Sequence, residues 1–116
     1  LKGAKVLVLG LAYKKDIDDV RESPSISLIE LLRYRGAKVD YNDPHCPRTH
    51  KMREHDLKMT SKKLSAAMLK RYDVVLISTD HSSYDYQWIV DNSQLVIDTR
   101  NATAKVRRGR KKIVKA

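Results

Sequence analysis

A charged run follows the first apolar segment of the chain and reads Gly-Leu-Ala-Tyr-Lys-Lys-Asp-Ile-Asp-Asp-Val-Arg-Glu-Ser-Pro over residues 10–24. It holds three cations, Lys14, Lys15 and Arg21, and such side chains bind phosphate and carboxylate groups. A solvated loop is the ordinary explanation for mixed charges of this kind. A connection between a strand and a helix, however, needs only about 2–6 residues. The length and order of this run therefore favour a functional loop that binds an anionic ligand.

The acidic residues of the same run are expected to have a supporting role. Asp19 and Glu22 would repel phosphate, so we expect them to orient the neighbouring cations and to order the loop. Ser23 stands immediately before a proline and an apolar segment, which is the pattern of a helix cap. We therefore interpret Ser23 as a cap and not as a ligand.

The histidines and the single cysteine do not predict a metal site. Zinc sites usually combine pairs spaced as C-x₂₋₄-C and H-x₃₋₅-H, whereas the pairing among His45, Cys46, His50 and His55 is incomplete. Cys46 is expected to be a small, half-buried side chain. His81 follows an apolar strand and is expected to face the ligand cleft, where it could contact the ligand.

The four glycines, Gly3, Gly10, Gly36 and Gly109, have no spacing that gives G-x-G-x-x-G or G-x-x-x-x-G-K. These are the two patterns in which backbone N–H groups cradle a dinucleotide or a nucleoside triphosphate. The chain is therefore expected to lack the usual means of holding a dinucleotide by itself.

Apolar runs and turn residues predict strands that alternate with helices. Ser23, Pro24 and Gly36 bound the first helix. The predicted strands are Lys5–Leu9, Lys38–Asn42, Leu57–Thr60, Val74–Ile77, Leu95–Ile97 and an edge strand at Lys112–Val114, and the other predicted helices are His45–His55, Ser61–Arg71 and Asp85–Asp91.

This alternation predicts a Rossmann-like α/β fold, with a mainly parallel sheet between two helical layers and a strand order of about 3-2-1-4-5. The order reverses between strands 1 and 4, and ligands bind at such a switch point, outside the carboxyl ends of the strands. Residues 10–23, 79–84 and 99–101 are predicted to meet there. The topology alone, without any motif, therefore predicts that a ligand binds at this edge of the sheet.

Composition narrows the class of protein. The 116 residues fit one domain, residues 1–116, and a first residue other than methionine suggests a piece of a longer protein. The formal net charge of +10 favours anionic partners. One cysteine fits a reducing cytoplasm, and no apolar stretch approaches the length of a membrane span.

The motifs together resemble one enzyme family. The run at 10–24, Gly-Ala-Lys-Val at 36–39, Asp-Pro at 43–44 and Asp-Thr-Arg-Asn at 98–101 closely resemble the C-terminal domain of the UDP-glucose/GDP-mannose dehydrogenases. The resemblance covers nearly the whole chain. It implies a UDP-binding domain of a longer enzyme that oxidises a sugar C6 hydroxyl to a carboxylate in two NAD-dependent steps.

The resemblance also implies residue roles. Tyr13 and Lys14 match positions that contact the uridine diphosphate part of the substrate, and Arg100 matches an arginine that helps to hold the nucleotide sugar. Arg21 matches an arginine that reaches NAD. For Arg100, a salt bridge to Asp98 or to nearby acids is the alternative.

By the same resemblance, NAD is bound mainly by an N-terminal domain, and the catalytic cysteine lies upstream of this domain. Cys46 does not match that cysteine, so the chain alone is expected to contain no catalytic residue and to be inactive. The full-length protein is expected to be an oligomer of identical cytoplasmic subunits that supplies polysaccharide synthesis. Residues 16–24 and 40–44 look most like the branch that acts on UDP-N-acetylhexosamines.

Two alternatives stay open. The basic stretch Arg107–Lys112 could bind nucleic acid, although Tyr84, Tyr86 and Trp88 are expected to pack a helix and not to stack on bases. The domain could also serve assembly alone.

Overall fold

A computed structural model describes residues 2–11, 24–46 and 59–116 of the chain. Its elements are β1 (Lys5–Leu9), α1 (Pro24–Tyr34), β2 (Lys38–Asn42), α2 (Ala66–Arg71), β3 (Val74–Ile77), α3 (Tyr86–Asn92), β4 (Val96–Asp98), a 3₁₀ turn (Arg110–Lys112) and β5 (Ile113–Lys115). None of the helices in these ranges has the length and apolar character needed to cross a membrane.

The strands form one parallel sheet in the order β2-β1-β3-β4-β5, which confirms the predicted Rossmann-like fold. Because β1 pairs with both β2 and β3, the direction of winding reverses between β1 and β3, as predicted. Five residues at the carboxyl ends lie in register across the sheet: Asn42, Leu9, Ile77, Asp98 and Lys115. The chain therefore leaves all five strands along one edge, which we call the carboxyl edge.

The two faces of β1 explain why the sheet is covered on both sides. Successive side chains of a strand point to opposite faces. Val6 and Val8 pack with Ile26 and Ile29 of α1, whereas Leu7 and Leu9 belong to the second core, which α2 and α3 cover. A strand buried on both faces must be continuously apolar, and this is the pattern from which β1 was predicted.

Helix α1 ends as its sequence predicts. Gly36 has a φ of +92°, a left-handed conformation that favours glycine. The Gly36 and Ala37 N–H groups donate to the carbonyls of Arg33 and Leu32 at 2.9 and 3.0 Å, which is the Schellman pattern. The turn sends the chain directly into β2.

The helix predicted over Ser61–Arg71 is shorter, because its first residues bind to the end of β2. The Lys62 N–H donates to the carbonyl of Tyr41 at 2.8 Å, and Asn42 Nδ2 donates to the carbonyl of Lys62 at 2.6 Å. These bonds hold that segment in a non-helical conformation. Helix α2 begins only after Ser65, whose side chain accepts the Met68 N–H at 3.1 Å.

The strand predicted over Leu57–Thr60 is not formed in the part that the structure describes. There, Thr60 makes one isolated bridge and Met59 has no regular structure. The short helix predicted at His45–His55 lies mostly outside the described residues, and Pro44–His45 is a turn. The edge strand predicted at Lys112–Val114 is present one residue later, as β5.

Candidate functional site

The exits of β1 and β3 touch at Gly10. The N–H groups of Ser78 and Thr79 donate to the carbonyl of Leu9 at 2.9 and 3.1 Å. Gly10 has a φ of +92°, and a Cβ at this position would lie 2.4 Å from Thr79 Cβ and 2.7 Å from two Thr79 backbone atoms. Only glycine allows the two backbones to approach this closely, so Gly10 sets the shape of the crevice.

Helix α1 begins at the same crevice. Ser25, its second residue, is buried, and its Oγ lies 2.5 Å from Ser78 Oγ just beyond β3. The first turn of α1 contains no acidic residue. The dipole of a helix makes its N-terminus favourable for an anion. The N-terminus of this eleven-residue helix lies at the exit of β3.

Arg100 reaches Ser78 from the other side. Its Nε donates to the carbonyl of Ser78 at 2.9 Å, and the residue is exposed. Within the described residues, its guanidinium makes no ion pair, so the salt bridge considered for Arg100 is not formed there. The Arg100 guanidinium and Ser25 of α1 thus both contact Ser78, and the positive charge of the guanidinium favours a negatively charged group there.

The turn that carries Arg100 is fixed by Asp98. Its carboxylate accepts the N–H groups of Arg100 and Ala102 on Oδ1, both at 3.0 Å. Oδ2 accepts the Thr103 N–H at 2.9 Å and the Thr103 hydroxyl at 2.6 Å. Burial raises the pKa of Asp98, but these hydrogen bonds from Thr103, Arg100 and Ala102 outweigh it and hold the pKa well below its ordinary value.

The cation that pairs with Asp98 is Lys115. Its Nζ lies 3.2 Å from Asp98 Oδ2 and donates to Asn101 Oδ1 at 2.6 Å. Asn101 has a φ of +59°, a left-handed conformation that asparagine adopts more readily than most residues. Lys115 of β5 thus stabilises the turn that carries Arg100, and it takes the place of Arg100 as the ion-pair partner of Asp98.

Asp43 and His81 form a second buried centre at this edge. Asp43 Oδ2 accepts the Leu11 N–H at 2.7 Å and lies 2.8 Å from His81 Nε2, and Oδ1 accepts the His45 N–H at 2.8 Å. Both side chains are fully buried. Because His81 is enclosed and its Nε2 bonds to Asp43, the prediction that His81 faces the cleft is wrong.

A row of rings continues from His81 toward the outside. The His81 ring lies 4.6 Å from that of His45 and 5.9 Å from that of Tyr84, and Tyr86 follows at 5.9 Å. The Tyr84 hydroxyl donates to the Asn42 carbonyl and contacts Asn42 Oδ1, each at 2.8 Å. Burial, together with the charge of Asp43, raises the pKa of Tyr84 far above its usual value. Tyr84 therefore stays protonated and acts as a donor at neutral pH.

A cleft of about 510 Å³ opens beside Asn101, between the loops that follow β3 and β4. Its lining includes Tyr84, Tyr86, Asn101 and Lys105, together with the carboxylates of Asp80 and Asp85. This mixture suits a polar, largely uncharged part of a ligand. The surface at Ser78, which Arg100 contacts, suits an anionic part.

Much of the basic C-terminal stretch binds to the domain itself. Arg108 pairs with Asp91 at 2.9 Å, Arg110 Nη1 donates to the carbonyls of Thr103 and Val106, and Lys112 Nζ donates to the carbonyl of Val90 at 3.2 Å. These three cations bind groups of the domain itself, whereas binding of nucleic acid by this stretch would require them to contact phosphates. As predicted, Tyr84, Tyr86 and Trp88 pack against the core beneath α3.

The structure locates one of the four predicted site residues. Arg100 lies at the carboxyl edge, and its ligand role stays a prediction, as do the roles of Tyr13, Lys14 and Arg21, which lie outside the described residues. Cys46 is buried, more fully than predicted. Sequence reasoning did not identify the supporting roles of Ser78, Asp43 and Asp98. For the two aspartates the available signal was their position directly after, or at the end of, a strand.

Comparison with known proteins gives one family. The sequence model of the "UDP-glucose/GDP-mannose dehydrogenase family, UDP binding domain" matches residues 7–105. The UDP-glucose 6-dehydrogenase AglM of Haloferax volcanii is 36% identical over 103 residues, which cover 86% of this chain and 24% of that protein. The UDP-N-acetyl-D-mannosamine dehydrogenase of Pyrococcus horikoshii is 31% identical over 103 residues, with coverages of 84% and 22%.

Solved structures agree with the sequence relatives. The structure of the UDP-N-acetyl-mannosamine dehydrogenase Cap5O from S. aureus superposes with a TM-score of 0.71 at 29% identity, over 99% of this chain and 27% of that one. The chain therefore spans about a quarter of the length of the relatives that it matches.

Proposed function

The chain belongs to the UDP-glucose/GDP-mannose dehydrogenase family, and from this we propose that it is the UDP-sugar-binding domain of an NAD-dependent nucleotide-sugar 6-dehydrogenase. The observation that carries the proposal is the meeting of Arg100 and the N-terminus of α1 at Ser78. A diphosphate is the part of a UDP-sugar that such a junction can hold.

The proposed division of labour follows from side-chain chemistry. Arg100 offers a planar, permanently charged donor to the diphosphate, and Lys14 offers a compact positive charge to the same group. Tyr13 offers a ring face and a hydroxyl to the base or ribose. The polar cleft is lined in part by Asn101, which follows Arg100 directly in the chain, and it has room for the neutral part of the ligand.

Calorimetric titration of the 116-residue chain with UDP tests the proposal, and Arg100→Met is the informative variant. Methionine keeps much of the side-chain length and loses the charge. A hydrogen bond to a charged group contributes about 1.5–3 kcal/mol, so UDP should bind about 10–150-fold more weakly. Arg35→Met is the matched control, because Arg35 is exposed between α1 and β2 at the opposite edge and should leave UDP binding unchanged.

Each outcome of this titration decides something. Equal UDP affinity of Arg100→Met and the unchanged chain would remove Arg100 from the site. Tighter binding of a short DNA duplex than of UDP would favour the nucleic-acid alternative. No binding of UDP by the unchanged chain would contradict the proposed function.

NAD is proposed to bind mainly outside this domain. Among the described residues, β1 is followed by one glycine, Gly10, and not by the glycine-rich turn that holds a dinucleotide. The side of Gly10 where a Cβ would stand packs against Thr79. When bound, NAD would accept the hydride from the sugar C6. This chain's proposed part is to hold the UDP end of the substrate in place, with Arg21 as its contact to the cofactor.

Kinetics of the full-length polypeptide that carries this domain would separate the roles of Arg21 and Lys14. If Arg21 contacts NAD, Arg21→Ala should raise the KM for NAD by about 10-fold or more and change the KM for the UDP-sugar little. Lys14→Ala should do the reverse. Equal losses for both substrates in both folded variants would mean that the loop acts as one structural unit.

The preferred sugar is proposed to be a UDP-N-acetylhexosamine. The names of the relatives include both UDP-glucose and UDP-N-acetylmannosamine dehydrogenases, so family membership leaves both sugars open. Turnover by the full-length protein on UDP-N-acetylglucosamine, UDP-glucose and GDP-mannose distinguishes them. The product, a sugar carboxylate, suits cytoplasmic synthesis of acidic polysaccharide, and the full-length protein is proposed to form homo-oligomers.

A further inference from the structure

Two buried titratable groups have no part in the proposed binding of UDP. Asp43 and His81 are both inaccessible to solvent, and their side chains lie 2.8 Å apart. A charged or polar group is costly to bury unless it is hydrogen-bonded. The hydrogen bonds that the Asp43 carboxylate makes with described residues indicate what the pair does for the fold around it.

The bonds of Asp43 join the exits of three neighbouring strands. Leu11 follows β1, His45 follows β2 and His81 follows β3. Asp43 accepts a backbone N–H from each of the first two and contacts the ring of the third. The backbone hydrogen bonds of the sheet end before these residues. The Asp43 carboxylate therefore holds the three segments together just beyond the sheet.

The other bonds of Asp43 favour one direction for its bond to His81. Backbone N–H groups donate to both oxygens of Asp43, which favours the ionised carboxylate, and a carboxylate in that form only accepts hydrogen bonds, so that His81 Nε2 is then the donor to Oδ2. Hydrogen bonds to an ionised acceptor are shorter and about twice as strong as neutral ones. The distances of 2.7 and 2.8 Å at Oδ2 fit such bonds. His81 is oriented further by the ring of His45 on one side and that of Tyr84 on the other.

We propose that Asp43 and His81 form a positioning pair that fixes Leu11, where the chain leaves β1, and so supports the binding of UDP at the carboxyl edge. This inference rests on the proposed function. Leu11 is the anchored residue, and Tyr13 and Lys14 stand two and three residues after it in the sequence. The pair does not touch the ligand and is not catalytic.

Asp43→Asn tests the pair because an amide group would turn one acceptor into a donor that faces another donor. UDP should bind about 5–150-fold more weakly, the usual range of coupling between two sites. Asp73→Asn is the matched control. Asp73 Oδ2 accepts the Lys5 N–H at 2.8 Å, so it makes the same kind of bond to β1 at the opposite edge. It should leave UDP binding within about 2-fold of the unchanged chain.

A second pair of variants keeps the test decisive if Asp43→Asn fails to fold. His81→Gln retains a donor at about the reach of Nε2, whereas His81→Leu removes it. We expect Gln to keep UDP binding within about 3-fold and Leu to weaken it by about 5-fold or more. Hydrogen exchange of the Leu11 amide supplies a readout that does not depend on UDP. Its exchange should rise in His81→Leu while the amides of Leu7 and Val75 stay protected.

The outcomes separate the inference from the proposed function. Binding of UDP by the unchanged chain and equally by His81→Leu would overturn the positioning role and leave the UDP site intact. Equal losses in Asp43→Asn and Asp73→Asn would show a general effect of charge and overturn it as well. Absence of UDP binding by the unchanged chain would contradict the proposed function and remove the positioning role with it.

Discussion

Gly10→Ala is expected to lower the free energy of unfolding by about 2–5 kcal/mol. A left-handed backbone costs a residue with a Cβ about 1–2 kcal/mol, and overpacking costs about 1–3 kcal/mol more. The overpacking arises because the new Cβ would lie 2.4 Å from Thr79 Cβ and 2.7 Å from its backbone N and O. A domain of this size has about 5–15 kcal/mol in total, so urea unfolding should show a large shift of the midpoint.

Gly3→Ala is the control that isolates the contact. Gly3 also has a left-handed φ, +81°, but nothing lies within 4 Å of its would-be Cβ. Its alanine variant should lose only the conformational part, about 1–2 kcal/mol. Equal losses in the two variants would show that the approach of Gly10 to Thr79 is unimportant for stability. In that case the crevice would not depend on glycine in the way that we describe.

Asp98→Asn is expected to cost about 2–4 kcal/mol. The buried carboxylate accepts three backbone N–H groups and the hydroxyl of Thr103. An amide group would direct donors at donors, and leaving a buried group unsatisfied costs about 1–3 kcal/mol, more beside a charge. Asp85→Asn is the control, because Asp85 caps α3 by accepting the Trp88 N–H, and Asn caps helices about as well. It should change stability by less than about 0.5 kcal/mol.

The pH dependence gives Asp98 a second signature. Its pKa in the folded chain lies below the unfolded value of about 3.9. The stability that it contributes is therefore complete above about pH 4 and is lost as the pH falls from there toward the folded pKa. Urea unfolding at several values between pH 7 and pH 3 should show the unchanged chain and Asp98→Asn converging below about pH 4. A difference that stays constant to pH 3 would contradict the bonding described for Asp98.

The strands could be predicted because their signal is local. Each of β1 and β3 is a continuous apolar run, and burial on both faces requires that pattern. The order of the strands followed from right-handed crossovers. The start of α2 could not be predicted, because bonds to Tyr41 and Asn42, twenty residues earlier, override the helical preference of residues 61–64.

The position of Arg100 in the fold was predicted, but the hydrogen bonds around it and around His81 were not. Arg100 was expected at the carboxyl edge, where it lies. Whether Arg100 would form a salt bridge with Asp98 depended on the turn after β4. In that turn the Asp98 carboxylate accepts backbone N–H groups, and it forms its ion pair with Lys115 of β5. His81 was expected to face the ligand cleft. The acceptor that buries it, Asp43, lies 38 residues away in the sequence, and no local pattern links the two.

Chemical-shift mapping of UDP on the ¹⁵N-labelled chain tests the binding edge most directly. Ligands of such sheets bind outside the carboxyl ends of the strands, at the switch point. We predict that UDP shifts the amide signals of Leu11, Ser78, Thr79 and Arg100, which surround the exits of β1, β3 and β4. The amides of Lys5, Gly36 and Asp73, at the opposite edge, should not move. Shifts confined to that opposite edge, or to the basic stretch at residues 105–112, would contradict a UDP site at the carboxyl edge.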